Sequence, residues 1–209
     1  MAAAELNMMA DGQFSQSNSR TLAIHVVWTT YMSWLPGDKR GHWSPLLDFY
    51  GRLIKRGYRL NIADDITRLA ATNSARGTAR HLTSRDILLA ADTIADIIPG
   101  GPGVGMVGGK PASKWTVYAA AIESEHLHLL LAANTEDVST LIGRVKGKSS
   151  RAINAANQRK GETLWTAGFW RVFLSDWQAV RAARNYIVNH NVRRNIPNDP
   201  FPWITPPPT

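Results

Sequence analysis

Two apolar runs, Trp115 to Ile122 and His126 to Ala133, are separated only by the polar Glu123-Ser124-Glu125. Apolar runs of this length read as strands, and so short a polar break makes them neighbours joined by a tight turn. The turn contains neither Gly nor Asn, so its residues do not name its geometry. A chain with such a pair is committed to a sheet, and its other elements must cover that sheet.

Upstream, Leu22-Ala23-Ile24-His25-Val26-Val27-Trp28-Thr29-Thr30 is dense in β-branched and aromatic residues and too short for a buried helix, which predicts a central strand. Pro36-Gly37 and Gly41, between Trp34 and Trp43, mark a turn-rich loop. A helix is expected from Thr83, where Thr83-Ser84-Arg85-Asp86 has capping-box spacing and Ile87, Leu88, Ala91, Ile94, Ala95 and Ile98 recur at helical intervals; Pro99-Gly100 ends it. Residues 100–113 are mostly Gly and Pro and read as a surface connection. Gly109-Lys110 does not complete a phosphate-binding loop, because Val104 stands at the first glycine position and Pro111 at the Ser/Thr position.

A second helix follows Asn134 and Asp137, with Val138, Leu141, Ile142, Val145 and Ile153 as its apolar positions. Gly168 to Leu174 reads as another strand, and Ser175 with Gln178 as the capping box of a last helix carrying Tyr186 and His190. Beyond Asn195 the repeated prolines predict an extended tail. The order β, α, β, β, α, β, α predicts an α+β fold, a ferredoxin-like antiparallel sheet with helices packed on one face.

A length of 209 residues with 44% hydrophobic content suits one domain. It is expected over 21–195, between a poorly ordered leader at 1–20 and a proline-rich tail at 196–209. Twenty-four Lys and Arg against 16 Asp and Glu give a formal charge of +8, which favours a polyanionic partner, nucleic acid first. The absence of cysteine excludes disulfides, thiolate zinc sites, iron–sulfur clusters and cysteine nucleophiles. No apolar run approaches the roughly eighteen residues needed to span a bilayer, and Met1 to Arg20 is polar, so a soluble, unprocessed, cytoplasmic protein is expected.

The sharpest local feature is His126-Leu127-His128. Alternate residues of a strand share a side, so the two imidazoles can share one divalent ion while Leu127 faces the core. An ordinary half-buried strand places histidines in the same way. Glu123 would join the imidazoles only if the turn at Ser124-Glu125 brought its carboxylate back to them. Tyr186 and His190, four apart on the last helix, lie on one face and address one small volume. A phenol with a pKa near 10 is a poor nucleophile unless the charge developing on its electrophile is neutralised, as a divalent ion on a phosphodiester would do.

Taken in order, these residues resemble the HUH superfamily of single-strand DNA nucleases, and within it the single-tyrosine transposases of the REP-associated and related insertion-sequence types. His25-Val26-Val27-Trp28-Thr29 resembles their first strand, and Tyr31 with Trp34 through Gly41 a loop found in one branch. Glu123 with His126-Leu127-His128 is similar to the acid and HUH strand, and Lys146-Gly147-Lys148-Ser149-Ser150-Arg151 to the basic helix that follows. Leu164-Trp165 and Phe169-Trp170 resemble the approach to the last strand, and Tyr186-Ile187 the tyrosine helix. The resemblance covers Leu22 to Arg194 and is poor over a divergent insert at about 58–113.

The resemblance implies that His126 and His128 bind Mg²⁺ or Mn²⁺, with Glu123 as a conditional ligand. It implies that Tyr186 attacks a phosphodiester to give a 5′-phosphotyrosine and a free 3′-hydroxyl, after which a second strand can be joined. The family's third ligand, usually Gln or Asn, falls four residues after the tyrosine; here that position is His190, between Asn189 and Asn191. Single-stranded or hairpin DNA is the implied partner, with a bacterial, nucleoid-associated setting and homodimers among the relatives.

Lys146, Lys148, Arg151, Arg181, Arg184, Arg193 and Arg194 are candidates for phosphate contacts, which add salt-dependent affinity without sequence information. Trp34, Trp43 and Trp203 could stack on unpaired bases, while Trp28, Trp115 and Trp170 are expected in the core. Two other readings fit the same residues: a zinc hydrolase built on His126, His128 and His190, and a non-catalytic DNA-binding protein derived from a transposase. A third imidazole shifts metal preference from Mg²⁺ towards softer ions. Activity is therefore expected to be higher with Mn²⁺ than with Mg²⁺; rates measured at matched metal occupancy check this, and equal rates would contradict it.

Overall fold

The computed structural model describes residues 21–33, 78–98 and 115–208, together with the backbone of His42–Trp43 and Arg59–Leu60. The expected leader at 1–20, the loop containing Trp34 and Gly37, and the glycine- and proline-rich connection lie outside the described residues.

A four-stranded antiparallel sheet forms from β1 (Ala23–Thr29), β4 (Val117–Ile122), β5 (His126–Ala132) and β6 (Trp170–Leu174), in the spatial order β4-β5-β1-β6. β2 (His42–Trp43) and β3 (Arg59–Leu60) pair as a separate short ribbon. The helices are α1 (Ser84–Ile97), α2 (Val138–Ala156) and α3 (Trp177–Val192). This is the ferredoxin-like α+β plan expected from the order of elements, with β1 central as its composition predicts.

Strand alternation divides the sheet into two chemically different faces. On one, Ile24, Val26 and Trp28 of β1 and Leu127, Leu129 and Leu131 of β5 pack with Ile94 and Ile98 near the end of α1 and with Leu141, Ile142, Val145 and Ile153 of α2. Each buried aliphatic side chain there contributes roughly 1.5–3 kcal/mol relative to exposure. On the other, the small residues Ala23, Ala119 and Ala121, with Leu130, meet Val180 and Ile187 of α3. The register shift between Val117 and Ala119 in β4 changes the alternation, so that Ala119 and Ala121 both serve this second face. The expected one-sided packing therefore holds for α1 and α2, while α3 takes the opposite side, where alanines leave room for a helix.

Local capping chemistry sets the helix starts. Thr83 and Asp86 form the expected capping box at α1, and the buried Asp86 also accepts a 2.7 Å hydrogen bond from Asn157 Nδ2 just after α2. Asp137 caps α2. At α3 the cap is Asp176 rather than Ser175: its extended backbone lets Oδ1 accept from the Ala179 N–H at 2.7 Å. The tail also departs from a free extended segment, since Phe201, Trp203 and Ile204 pack against the larger core and Ile204 bridges to Val117.

Burial raises the Asp86 pKa, but hydrogen bonds from Thr83 and Asn157 outweigh it and hold the carboxyl below its ordinary 3.8. A depressed carboxyl pKa contributes stability that is complete above the unfolded value and is lost as pH falls through the folded one. Asp86→Ala is expected to cost about 1–2 kcal/mol at neutral pH, as cap removals do. Urea melts at a series of pH values should show that deficit shrinking below pH 3.8.

Candidate active site

Four elements and the β4–β5 turn bring His25, Glu123, His126, His128, Tyr186 and His190, with the indole of Trp170, together on the α3 side of the sheet. β5 supplies His126 and His128, which pair in register with Thr29 and Val27 of β1, and Leu127 between them is fully buried on the other face. β1 supplies His25, two residues along from Val27 and therefore on the same side. α3 supplies Tyr186 and His190, whose ring centroids are 4.9 Å apart one turn from each other. β6 adds Trp170, edge-on to His25 at 5.4 Å.

The fifth contribution depends on the β4–β5 turn. The Glu123 N–H donates to the His126 carbonyl at 2.8 Å, and this closure brings the Glu123 carboxylate to the imidazoles. Its Oε1 lies 2.5 Å from His190 Nδ1 and 3.8 Å from His126 Nε2. The turn that follows β4 thus brings the Glu123 carboxylate back to the imidazoles, as the sequence required.

One ring nitrogen from each of His126, His128 and His190 forms a set whose members all lie within 4.8 Å of one another. Glu123 is not in that set; its Oε1 meets Nδ1 of His190. Of the three consecutive polar residues in α3, His190 faces the cluster. Asn191 is buried and donates to the carbonyls of Ala120 and Asn198, and Asn189 is exposed. His128 Nε2 and His190 Nε2 are buried with no hydrogen-bond partner among the described residues. Buried nitrogens without a partner are what a metal ligand shell looks like before the ion is counted, so the donor set fits a divalent cation.

The electrostatics favour neutral His25 and His128 and an ionised Glu123. Burial, and then repulsion from His190, lowers the His25 pKa to about 4. Burial followed by the neighbouring His126, His25 and His190 puts His128 well below its ordinary value. Glu123 is pushed up by burial but brought net below the usual carboxylate range by its hydrogen bond to His190 and by the charges of His126, His190 and Arg194. Tyr186 sits over the cluster with 51% of its surface exposed, its ring centroid 5.6 Å from that of His128.

The basic residues separate into two groups. Arg181, Arg184, Arg193 and Arg194 lie in or just after α3; Arg184 pairs with Asp199 at 2.6 Å and Arg194 donates to the Ile122 carbonyl, while Arg181 and Arg193 are exposed with no partner among the described residues. Lys146, Lys148 and Arg151 lie on α2, across the sheet from the histidines. Lys146 donates to the Thr166 and Gly168 carbonyls, and burial lowers its pKa to about 8. Lys148 pairs with Asp96, whereas exposed Arg151 lines a groove of about 530 Å³ with Arg159 and Lys160. Trp34 lies outside the described residues, and Trp203 stacks on Phe201 with centroids 4.9 Å apart.

Sequence reasoning did not single out His25 as a site residue. Its signal was a lone imidazole in an apolar strand, which acquires meaning only when strand pairing puts it beside His128.

No curated protein matches the chain. Among solved structures it is similar to a REP-associated tyrosine transposase bound to a REP hairpin, at 12% identity and a TM-score of 0.40, over 90% of this chain and 74% of that one. It is also similar to a protein described as a transposase of Deinococcus radiodurans R1, at 16% identity and a TM-score of 0.34, over 87% of this chain and 98% of that one. Residues 110–190 match the family described as IS200-like transposases. The matched segment runs from before β4 to His190 and includes Glu123, His126, His128, Tyr186 and His190. Residues 110–190, less than half of the chain, are thus similar to the IS200-like transposases.

Proposed function

We propose that the protein is a divalent-metal-dependent endonuclease and strand transferase acting on single-stranded or hairpin DNA. Tyr186 is its nucleophile, and His126, His128 and His190 are its metal ligands. The observation that carries this reading is the half-exposed Tyr186 ring standing against His128 and His190 of a three-imidazole cluster. A bound Mn²⁺ or Mg²⁺ would neutralise charge developing on the non-bridging oxygens of a phosphodiester. The Tyr186 oxygen bonds to phosphorus as the bond to the 3′-oxygen breaks, leaving a 5′-phosphotyrosine and a 3′-hydroxyl. A 3′-hydroxyl from another strand can reverse the exchange, so joining needs no outside energy source.

Glu123 acts through His190 in this reading. Accepting from Nδ1–H, it fixes the tautomer that leaves Nε2 as the ligand atom, the carboxylate–histidine–metal arrangement. Arg181 and Arg193, exposed on the tyrosine's own helix, are the residues best free to meet phosphates of the attacked strand. The α2 residues Lys146, Lys148 and Arg151 face away from the tyrosine, and of these Arg151 remains available for backbone further along a hairpin.

Three histidines also suit a zinc hydrolase that generates its own hydroxide, in which Tyr186 would be incidental. A denaturing gel separates the two. Wild type incubated with Mn²⁺ and labelled hairpin oligonucleotides from the DNA flanking its gene is expected to give a covalent protein–DNA band. Tyr186→Phe should abolish that band and lower cleavage by roughly 10³-fold or more, as nucleophile removals do. Cleavage persisting in Tyr186→Phe without a covalent band would establish the hydrolase instead.

A further inference from the structure

His25 is 7% exposed, lies on the central strand, and has no role in the chemistry described above. Its Nε2 is 3.1 Å from Nδ1 of His128, both rings buried and stacked with centroids 5.4 Å apart. The geometry points to His25 as a positioning residue that accepts a hydrogen bond from His128 Nδ1–H and so presents His128 Nε2 as a metal ligand. The inference rests on the metal-site reading.

Two nitrogens at this distance share one proton. With none, two lone pairs would oppose each other; with one on each, two N–H groups would collide. Two arrangements remain. In the first, His25 Nε2–H donates to His128 Nδ1, which requires the one ring proton of a neutral His128 to sit on Nε2. That Nε2 is buried with no acceptor among the described residues, and its neighbours are the ligand nitrogens of His126 and His190. An N–H there would be unsatisfied and would block coordination. In the second, His128 Nδ1–H donates to His25 Nε2 and the lone pair on His128 Nε2 points among the imidazoles. Only the second leaves a ligand set.

The fold holds this pair in place. His25 aligns with Leu130 and Val172 in the two neighbouring strands, and Trp170 packs edge-on against its ring. The backbone of His25 is thus fixed by two strands, and its buried ring is held between His128 and Trp170. The site then has two remote acceptors, a carboxylate behind His190 and an imidazole behind His128. Such partners of metal-bound histidines typically change affinity by about 10–100-fold when removed.

The test is calorimetric titration of the purified full chain with Mn²⁺, comparing wild type, His128→Ala, His25→Leu and His25→Gln, with each apo protein's melting temperature recorded. Glutamine places a carbonyl oxygen near the position of the imidazole Nε2 and can accept the same bond. The expected result is an about 10–100-fold weaker Kd for His25→Leu, recovery to within a few-fold of wild type for His25→Gln, and no binding for His128→Ala. Wild type that binds no Mn²⁺ would overturn the metal reading and this inference with it. Loss in His128→Ala with wild-type affinity in His25→Leu would overturn this inference alone. Should His25→Leu fail to fold, ¹⁵N NMR of the histidine rings in unaltered, Zn²⁺-loaded protein decides. A protonated Nδ1 on His128 supports the assignment, and Zn²⁺ on Nδ1 or a proton on Nε2 refutes it.

Discussion

Slipping β5 by one residue against β1 would turn Leu127, Leu129 and Leu131 away from α1 and α2 and push His126 and His128 into an apolar core. The hydrophobic effect and the cost of burying unpaired imidazoles both oppose that slip, so this register is specified from two sides. The rest of the molecule depends on it. β4 takes its place from β5, β6 from β1, and the opposite face becomes a bed onto which α3 brings its tyrosine and third histidine. The leucine stripe that stabilises the fold and the histidine pair of the site are thus the two faces of one strand.

The site is unusual in its charge for a chain with a formal charge of +8. Its centre is a group of imidazoles, of which His25 and His128 are held below the ordinary imidazole pKa by burial and then by their neighbours, with Glu123 as the acid in direct contact. The arginines stand outside this cluster. Arg194 contributes from behind, holding the Ile122 carbonyl and sharing in the field that keeps Glu123 ionised. The result separates an imidazole-rich interior from a rim where Arg181 and Arg193 are exposed, two sets of residues that do not overlap.

Much of this was legible in sequence because it follows from short-range periodicity. The period of two gives His126 and His128 a common side, the period near 3.6 does the same for Tyr186 and His190, and Thr83-Ser84-Arg85-Asp86 sets its own cap. What escaped depends on distant pairing. His25 is 103 residues from its partner, and no local pattern connects them. Glu123 depended on a turn whose residues do not name its geometry. Lys146 looked like a surface cation until the carbonyls of Thr166 and Gly168 were found around its ammonium. The side chosen by α3 was equally hidden, since a helix's apolar stripe says that it packs and not on which face of a sheet.

The docking of Ile204 beside Val117 has a consequence for the outer boundary of the sheet. The Thr205 N–H donates to the Val117 carbonyl at 2.8 Å, so the start of β4 is already paired by the chain's own tail. Pro206, Pro207 and Pro208 follow immediately, and a residue without an N–H cannot extend a ladder. An edge that would otherwise template association with a foreign strand therefore ends in a segment unable to propagate it. The polyproline segment acts as a selvedge, finishing one border of the sheet and leaving β6 at the other.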